Sequence, residues 1–184
     1  MVPGRTNGYS ELAFSVNIPP IGGSCSVDPT RGFSDDTIFS FKCEGWTDKD
    51  LPLSYEFQYR NSYGVVSLLY DGISPVFFTK LPLGDVENNF TLDFQVKIFD
   101  SHKTYSASNI DVKVLLGRNR QNETFTKFQN FIKESLSSLI RVGKIQEATR
   151  EVNAIVSVLN FHALQNGTTR REERQQVRRS IAPQ

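Results

Sequence analysis

The side chains with chemistry to offer are few: the acidic pairs Asp35-Asp36 and Asp48/Asp50, Cys25 and Cys43, His102 and His162, and an arginine-rich run over 170–179. Carboxylates crowded into a loop are potential oxygen ligands for Ca²⁺. The competing reading, Asx turns and solvated loop charge, is preferred, because two acidic pairs without an EF-hand pattern carry little metal signal. Two histidines and two cysteines do not make a four-ligand zinc cage of ordinary spacing. His102 falls on a turn and His162 follows a helical pattern, so no nucleophile–base set is suggested. Gly22-Gly23 leads into a strand instead of a helix, unlike a phosphate loop. No catalytic residue, metal or cofactor is therefore expected. Asp35, Asp36, Asp48 and Asp50 converging in one cleft would revive a secreted enzyme.

The run over 170–179 holds five Arg against two Glu and no aromatic residue. Without a stacking platform it reads as one exposed, charged helix, and no nucleic-acid partner is expected. Three N-glycosylation sequons start at Asn89, Asn122 and Asn166. Composition alone would supply about two, so position carries more weight than number. Asn122 and Asn166 fall at joints between segments, and Asn89 opens a strand.

Cys25 and Cys43 are both in phase with inward-facing positions of strand patterns. A bridge between them would close a loop of about 18 residues, worth ~3 kcal/mol in the chain-entropy picture. The alternative is two buried free thiols of a cytosolic protein. The bridge is preferred, since no metal or catalytic spacing competes for the pair.

Holding these residues in place requires elements, and the chain supplies two unlike kinds. Its formal net charge is +1 over 184 residues. That average hides a net −5 in residues 1–116 and +6 in 117–184, with all ten Asp, all six Tyr and the one Trp in the first part. A hydrophobic share of 38% argues against long disorder. No run approaches the ~18–20 apolar residues of a membrane span. Residues 1–11 lack the apolar centre of a signal peptide.

In the first part, apolar residues alternate with period two. Leu12, Phe14, Val16 and Ile18 share a face, as do Phe39, Phe41 and Cys43. The same holds for Tyr55, Phe57 and Tyr59, for Leu92, Phe94, Val96 and Ile98, and for Ile110, Val112, Val114 and Leu116. Weaker strand patterns cover 24–27, 65–70 and 76–79. Gly-, Pro- and Asp-rich turns separate them, the segment 28–32 among these. Short one-sided strands at this spacing predict an antiparallel, immunoglobulin- or fibronectin-III-like β-sandwich of about 100 residues.

From residue 122 the period becomes helical. Phe125, Phe128, Ile132, Leu136, Leu139 and Ile140 predict a helix over 124–141, capped by Asn122 or Thr124. Gly143 ends it, and Ile145, Ala148, Val152, Ile155, Val156 and Leu159 predict a second, antiparallel helix. Asn166-Gly167 predicts a break before a third, charged helix over 169–181. Helices of this length are unstable alone, so their apolar stripes need partners.

Two stretches carry a resemblance. The first runs Pro19-Pro20-Ile21-Gly22-Gly23-Ser24-Cys25, then from Thr37 to Cys43-Glu44-Gly45-Trp46-Thr47-Asp48-Lys49-Asp50-Leu51-Pro52-Leu53-Ser54-Tyr55. The second is Leu81-Pro82-Leu83-Gly84 followed by the alternating segment to Phe99. Together they resemble the receptor-for-egg-jelly (REJ) module of the polycystin-1 family over about residues 11–116. The helices after 122 are similar to the opening of the GAIN, or autoproteolysis-inducing, domain that follows this region in the family.

The resemblance implies three segments. Residues 1–18 would be a strand closing a preceding module, 19–116 the REJ sandwich, and 117–184 the helical start of a GAIN-like region with a basic tail. A chain so arranged would be a fragment beginning mid-array. The resemblance also assigns structural roles. Cys25–Cys43 would clamp adjacent strands and Trp46 would pack over them. Asp48 and Asp50 would set the turn into the strand beginning at Leu51-Pro52-Leu53. The function implied is a non-catalytic stalk and interaction module on the extracellular face of the plasma or ciliary membrane. It would belong to a larger glycosylated receptor associated with cation (calcium) channel signalling. Its expected partners are the rest of that receptor, a polycystin-2-like channel subunit, or an extracellular protein or carbohydrate ligand. Direct adhesion, as in gamete recognition, is the alternative, and an outward patch of Tyr55, Tyr59, Tyr63 and Tyr70 would favour it.

Overall fold

The computed structural model describes residues 10–34, 36–61, 64–117 and 121–181, with the side chains of 121, 122, 166 and 168–181 excepted. Among these described residues, eight strands form two sheets. One has three strands, in the order β1 (Ser24–Asp28), β3 (Phe39–Glu44), β6 (Val76–Thr79). The other has five, in the order β2 (Arg31–Phe33), β8 (Tyr105–Leu115), β7 (Thr91–Phe99), β4 (Ser54–Arg60), β5 (Val66–Gly72).

The period-two pattern builds the core directly, because alternate side chains leave a strand on opposite faces. On β7, Leu92, Phe94, Val96 and Ile98 are buried while Asp93 and Gln95 face solvent. Phenylalanines then join the two sheets. Phe41 of the first sheet meets Phe57 edge-on at 5.6 Å and Phe94 at 5.0 Å, and Phe77 meets Phe57 at 4.8 Å. Such pairs add about 0.5–1.5 kcal/mol each beyond their buried area.

Two parts of this architecture depart from the sequence expectation. The segment read as a turn over 28–32 runs into β2, which pairs parallel to β8, with Arg31 opposite Lys113 and Phe33 opposite Leu115. After β1 the chain crosses to the edge of the other sheet, and Thr37 then closes a tight turn by accepting the Phe33 N–H at 2.8 Å. Residues 12–18 form no strand, and Leu12, Phe14, Val16 and Ile18 are 85%, 82%, 72% and 63% exposed. Alternation confers a two-faced segment. It does not supply an edge for that segment to pair with.

The helical part opens with α1 (Gln121–Asn130), continues through a π-helical turn (Phe131–Leu136) into α2 (Ser137–Arg141), and returns as α3 (Ile145–Ile181). Gly143 is left-handed (φ 76°), and the turn closes through Gly143 N–H to Ile140 O and Lys144 N–H to Leu139 O. This is the Schellman arrangement expected at a glycine helix stop. The predicted break at Asn166-Gly167 is absent, since α3 runs through it. A glycine inside a helix costs about 1 kcal/mol, which the rest of a long helix can absorb.

α3 is docked on the sandwich. Ala154, Ile155 and Val158 are buried, and polar contacts fix the register. The buried Ser34 hydroxyl donates to Ala154 O at 3.1 Å, and Ser157 Oγ accepts the Leu83 N–H at 2.8 Å. Arg150 donates to Leu69 O at 3.0 Å with its guanidinium 6.0 Å from the Phe77 ring centroid. Lys80 pairs with Glu151 at 3.1 Å.

Candidate functional site

The densest polar constellation lies at the corner where residues 17–21 meet the β7–β8 turn and the loop before β4. Asp48, Asp50 and Asp100 each bring a carboxylate oxygen within 4.8 Å of the others. Asp100 sits at the end of β7 and is 1% exposed. It is satisfied from both sides: the Thr104 N–H reaches Oδ1 at 2.9 Å and the Asn17 amide donates to Oδ2. Burial pushes its pKa up, but hydrogen bonds from Thr104, Asn17 and the His102 backbone more than offset this, leaving it below the ordinary value.

Asp48 closes an Asx turn by accepting the Asp50 N–H at 2.7 Å. Asp50 lies 3.6 Å from His102 Nε2 and 4.0 Å from Lys49 Nζ. Two of the three carboxylates, Asp48 and Asp100, already accept hydrogen bonds from backbone and amide donors. The arrangement fits a structural clasp. Asn17 also donates to Thr104 Oγ1 at 2.9 Å, Ser106 Oγ donates to Pro20 O, and Ile21 and Thr47 form a two-hydrogen-bond bridge. Beside the clasp, Ile18, Pro19, Ile21, Thr47, Asp48 and Lys49 line a shallow groove of about 470 Å³.

The cysteine expectation meets a matching geometry. Cys25 and Cys43 are direct partners across the β1–β3 ladder and form a disulfide with Cα atoms 4.0 Å apart. Trp46 packs against the core, with its ring 2.2 Å from where a Cβ on Gly23 would stand. Gly45 makes this approach possible through a left-handed φ of 76°. Pro52 follows a cis peptide bond just before β4.

The other sequence-predicted residues do not assemble. Asp36 is exposed and stands outside the carboxylate group, and Asp35 lies outside the described residues. Asn89 is exposed at a turn, whereas Asn122 and Asn166 lie in helices with side chains outside the described residues, as do those of the arginine run. His162 is half-buried against Phe161. Tyr55 is buried, Tyr59 and Tyr70 pack on the core, and Tyr63 lies outside the described residues, so no outward tyrosine patch forms among the residues described. Sequence reasoning missed Asp100 as a member of the acidic group. Its only signal was its place after an alternating strand and before the turn residues Ser101-His102-Lys103.

Fold and clasp together define a mainly β sandwich module with an integral helical hairpin. The REJ domain family matches residues 2–154, and the chain belongs to that family. Among curated proteins, it is 30% identical over 155 residues to polycystin-1-like protein 1 of Mus musculus, covering 83% of this chain and 6% of that protein. The polycystin family receptor for egg jelly of Mus musculus is 27% identical over 164 residues, covering 79% and 8%. Human polycystin-1-like protein 1 is 26% identical over 155 residues, covering 83% and 5%. The chain therefore spans less than a tenth of the length of these relatives. No helix among the described residues is long and apolar enough to cross a membrane.

Proposed function

We propose that the chain is a non-catalytic, extracellular stalk and interaction segment of a polycystin-1-like or egg-jelly-receptor-like membrane protein. In this reading it spaces and orients other parts of a receptor associated with cation-channel signalling, with a polycystin-2-like subunit or an extracellular protein or carbohydrate ligand as partner. The observation that carries it is that the segments at both ends of the sandwich are fastened to it. Residues 17–21 are clasped by Asp100, Thr104, Ser106 and Thr47. The α3 backbone and side chains are held by Ser34, Leu83, Lys80 and Leu69. A module that fixes both attachments sets the angle between its neighbours. Residues 1–18 then belong to the boundary with a preceding module, and the exposed apolar face of 12–18 is what that module would cover.

The cross-strand disulfide supports an oxidising compartment. Production in a secretory host followed by non-reducing mass spectrometry tests the reading. The expected result is secreted protein with Cys25 and Cys43 joined. Free thiols at both positions, with no glycan on any sequon, would overturn it.

A further inference from the structure

We propose that Asn89 is an N-glycan acceptor whose sugar caps the pole of the sandwich from which the chain leaves β8 for the helices. The proposal rests on the extracellular reading and deepens it, because the geometry around Asn89 leaves this acceptor exposed.

Asn89 ends the short 3₁₀ turn Val86–Asn88 in the left-handed conformation (φ 51°, ψ 39°), and its N–H bonds to Val86 O at 3.1 Å. Asparagine tolerates this conformation better than most residues, so the backbone is at ease there. Its side chain is exposed and, among the described residues, makes no hydrogen bond. The neighbouring amide behaves differently. Asn88 Nδ2 donates to Thr91 O at 3.1 Å and lies 3.4 Å from both Asp93 oxygens. Of two adjacent amides, the one inside the sequon is left free to carry a substituent, and the one outside it is used.

The rest of the sequon is part of the fold. Phe90 is also left-handed (φ 61°), its carbonyl accepts the Val114 N–H at 2.8 Å, and its ring meets Phe161 of α3 at 6.5 Å. Thr91 is half-buried in the ladder opposite Lys113. A sequon fixed in this way offers its acceptor nitrogen to solvent but cannot adapt its backbone to an enzyme. The sugar must be attached to the nascent chain before this turn forms, and the folded turn then carries it outward. There it stands over exposed Val86 and next to the Phe90–Phe161 contact, at the joint of sandwich and hairpin. Partners of the stalk would be kept off that pole.

The test is site-resolved mass spectrometry of the full chain secreted from a eukaryotic host, before and after enzymatic release of N-glycans in heavy-oxygen water, with the thiol state read in parallel. The expected result is conversion of Asn89 to labelled Asp in bridged protein. Thr91→Val keeps the β-branched shape but removes the acceptor motif, and should lose that label. Thr91→Ser keeps the motif and should retain it. Asn89→Gly, which suits the left-handed turn, should be secreted with one glycan fewer. Bridged, secreted protein with unmodified Asn89 would overturn the proposal and leave the extracellular reading standing. Free Cys25 and Cys43 would overturn both.

Discussion

Asp100 illustrates how a buried charge is kept in a β-sandwich. Its carboxylate is stabilised as an anion by donors from two other parts of the chain, and one of them, Asn17, belongs to the segment being clasped. The pH dependence follows from the direction of its shift. A carboxyl whose folded pKa lies below its unfolded value contributes stability above the unfolded value, about 4, and loses it as pH falls through the folded one. Stability measured by urea titration should therefore drop below about pH 4. Asp100→Asn should be less stable at neutral pH and should show a shallower acid limb; an unchanged limb would remove Asp100 from the clasp. A second prediction concerns Gly23. A methyl group there would stand 2.2 Å from the Trp46 ring, so Gly23→Ala should destabilise the protein by about 1–3 kcal/mol in chemical denaturation. Both roles were only half visible in the sequence. The Trp46 motif and the Asp48/Asp50 pair are local strings, but Asp100 reaches them from 50 residues away through a turn whose docking no local pattern encodes.

At the level of elements, period predicts type well and pairing poorly. Among the described residues, seven of the eight strands and both arms of the hairpin follow from apolar spacing, since burial of one face is what makes a strand or helix worth forming in this chain. The sheet switch at β2 and the unpaired residues 12–18 do not follow, because which edge is vacant depends on the whole sheet. Nor does the docking of α3. It depends on Ser34 and Ser157, two hydroxyls that look like ordinary loop and helix-surface residues until they meet at 3.4 Å. Ser157→Ala removes the hydroxyl without adding bulk and leaves the Leu83 N–H without its acceptor. An unsatisfied donor of this kind costs about 1–3 kcal/mol. That loss should appear as faster hydrogen exchange along the first turns of α3 and around Leu83, with the β7–β8 ladder unaffected.

On the scale of the whole molecule, the charge boundary near residue 116 separates an acidic sandwich from basic helices, yet it does not separate two bodies. The helix face carrying Ala154, Ile155 and Val158 is buried, and Arg150, whose pKa burial pulls down against the opposing pull of Glu147 and Glu151, reaches over Phe77 to the β5 edge strand. The REJ family match likewise runs past the boundary, to residue 154. Because α3 is tied to the sandwich through Ser34, Leu83, Leu69 and Lys80, the helices and the sandwich stabilise one another. Unfolding should then be a single cooperative event. The lone Trp46 reports on the sandwich at the end near Asp48, and far-ultraviolet circular dichroism at 222 nm reports mainly on the helices, which makes the two probes independent. Their thermal transitions should coincide in the intact chain, as two-state unfolding requires. Under Ala154→Leu, which overfills a fully buried position in the docking face, the helical signal should melt first and the tryptophan signal later. Separate transitions in the unsubstituted chain would mean that residue 116 is a true domain boundary, and that the sandwich does not by itself fix the direction in which α3 leaves it.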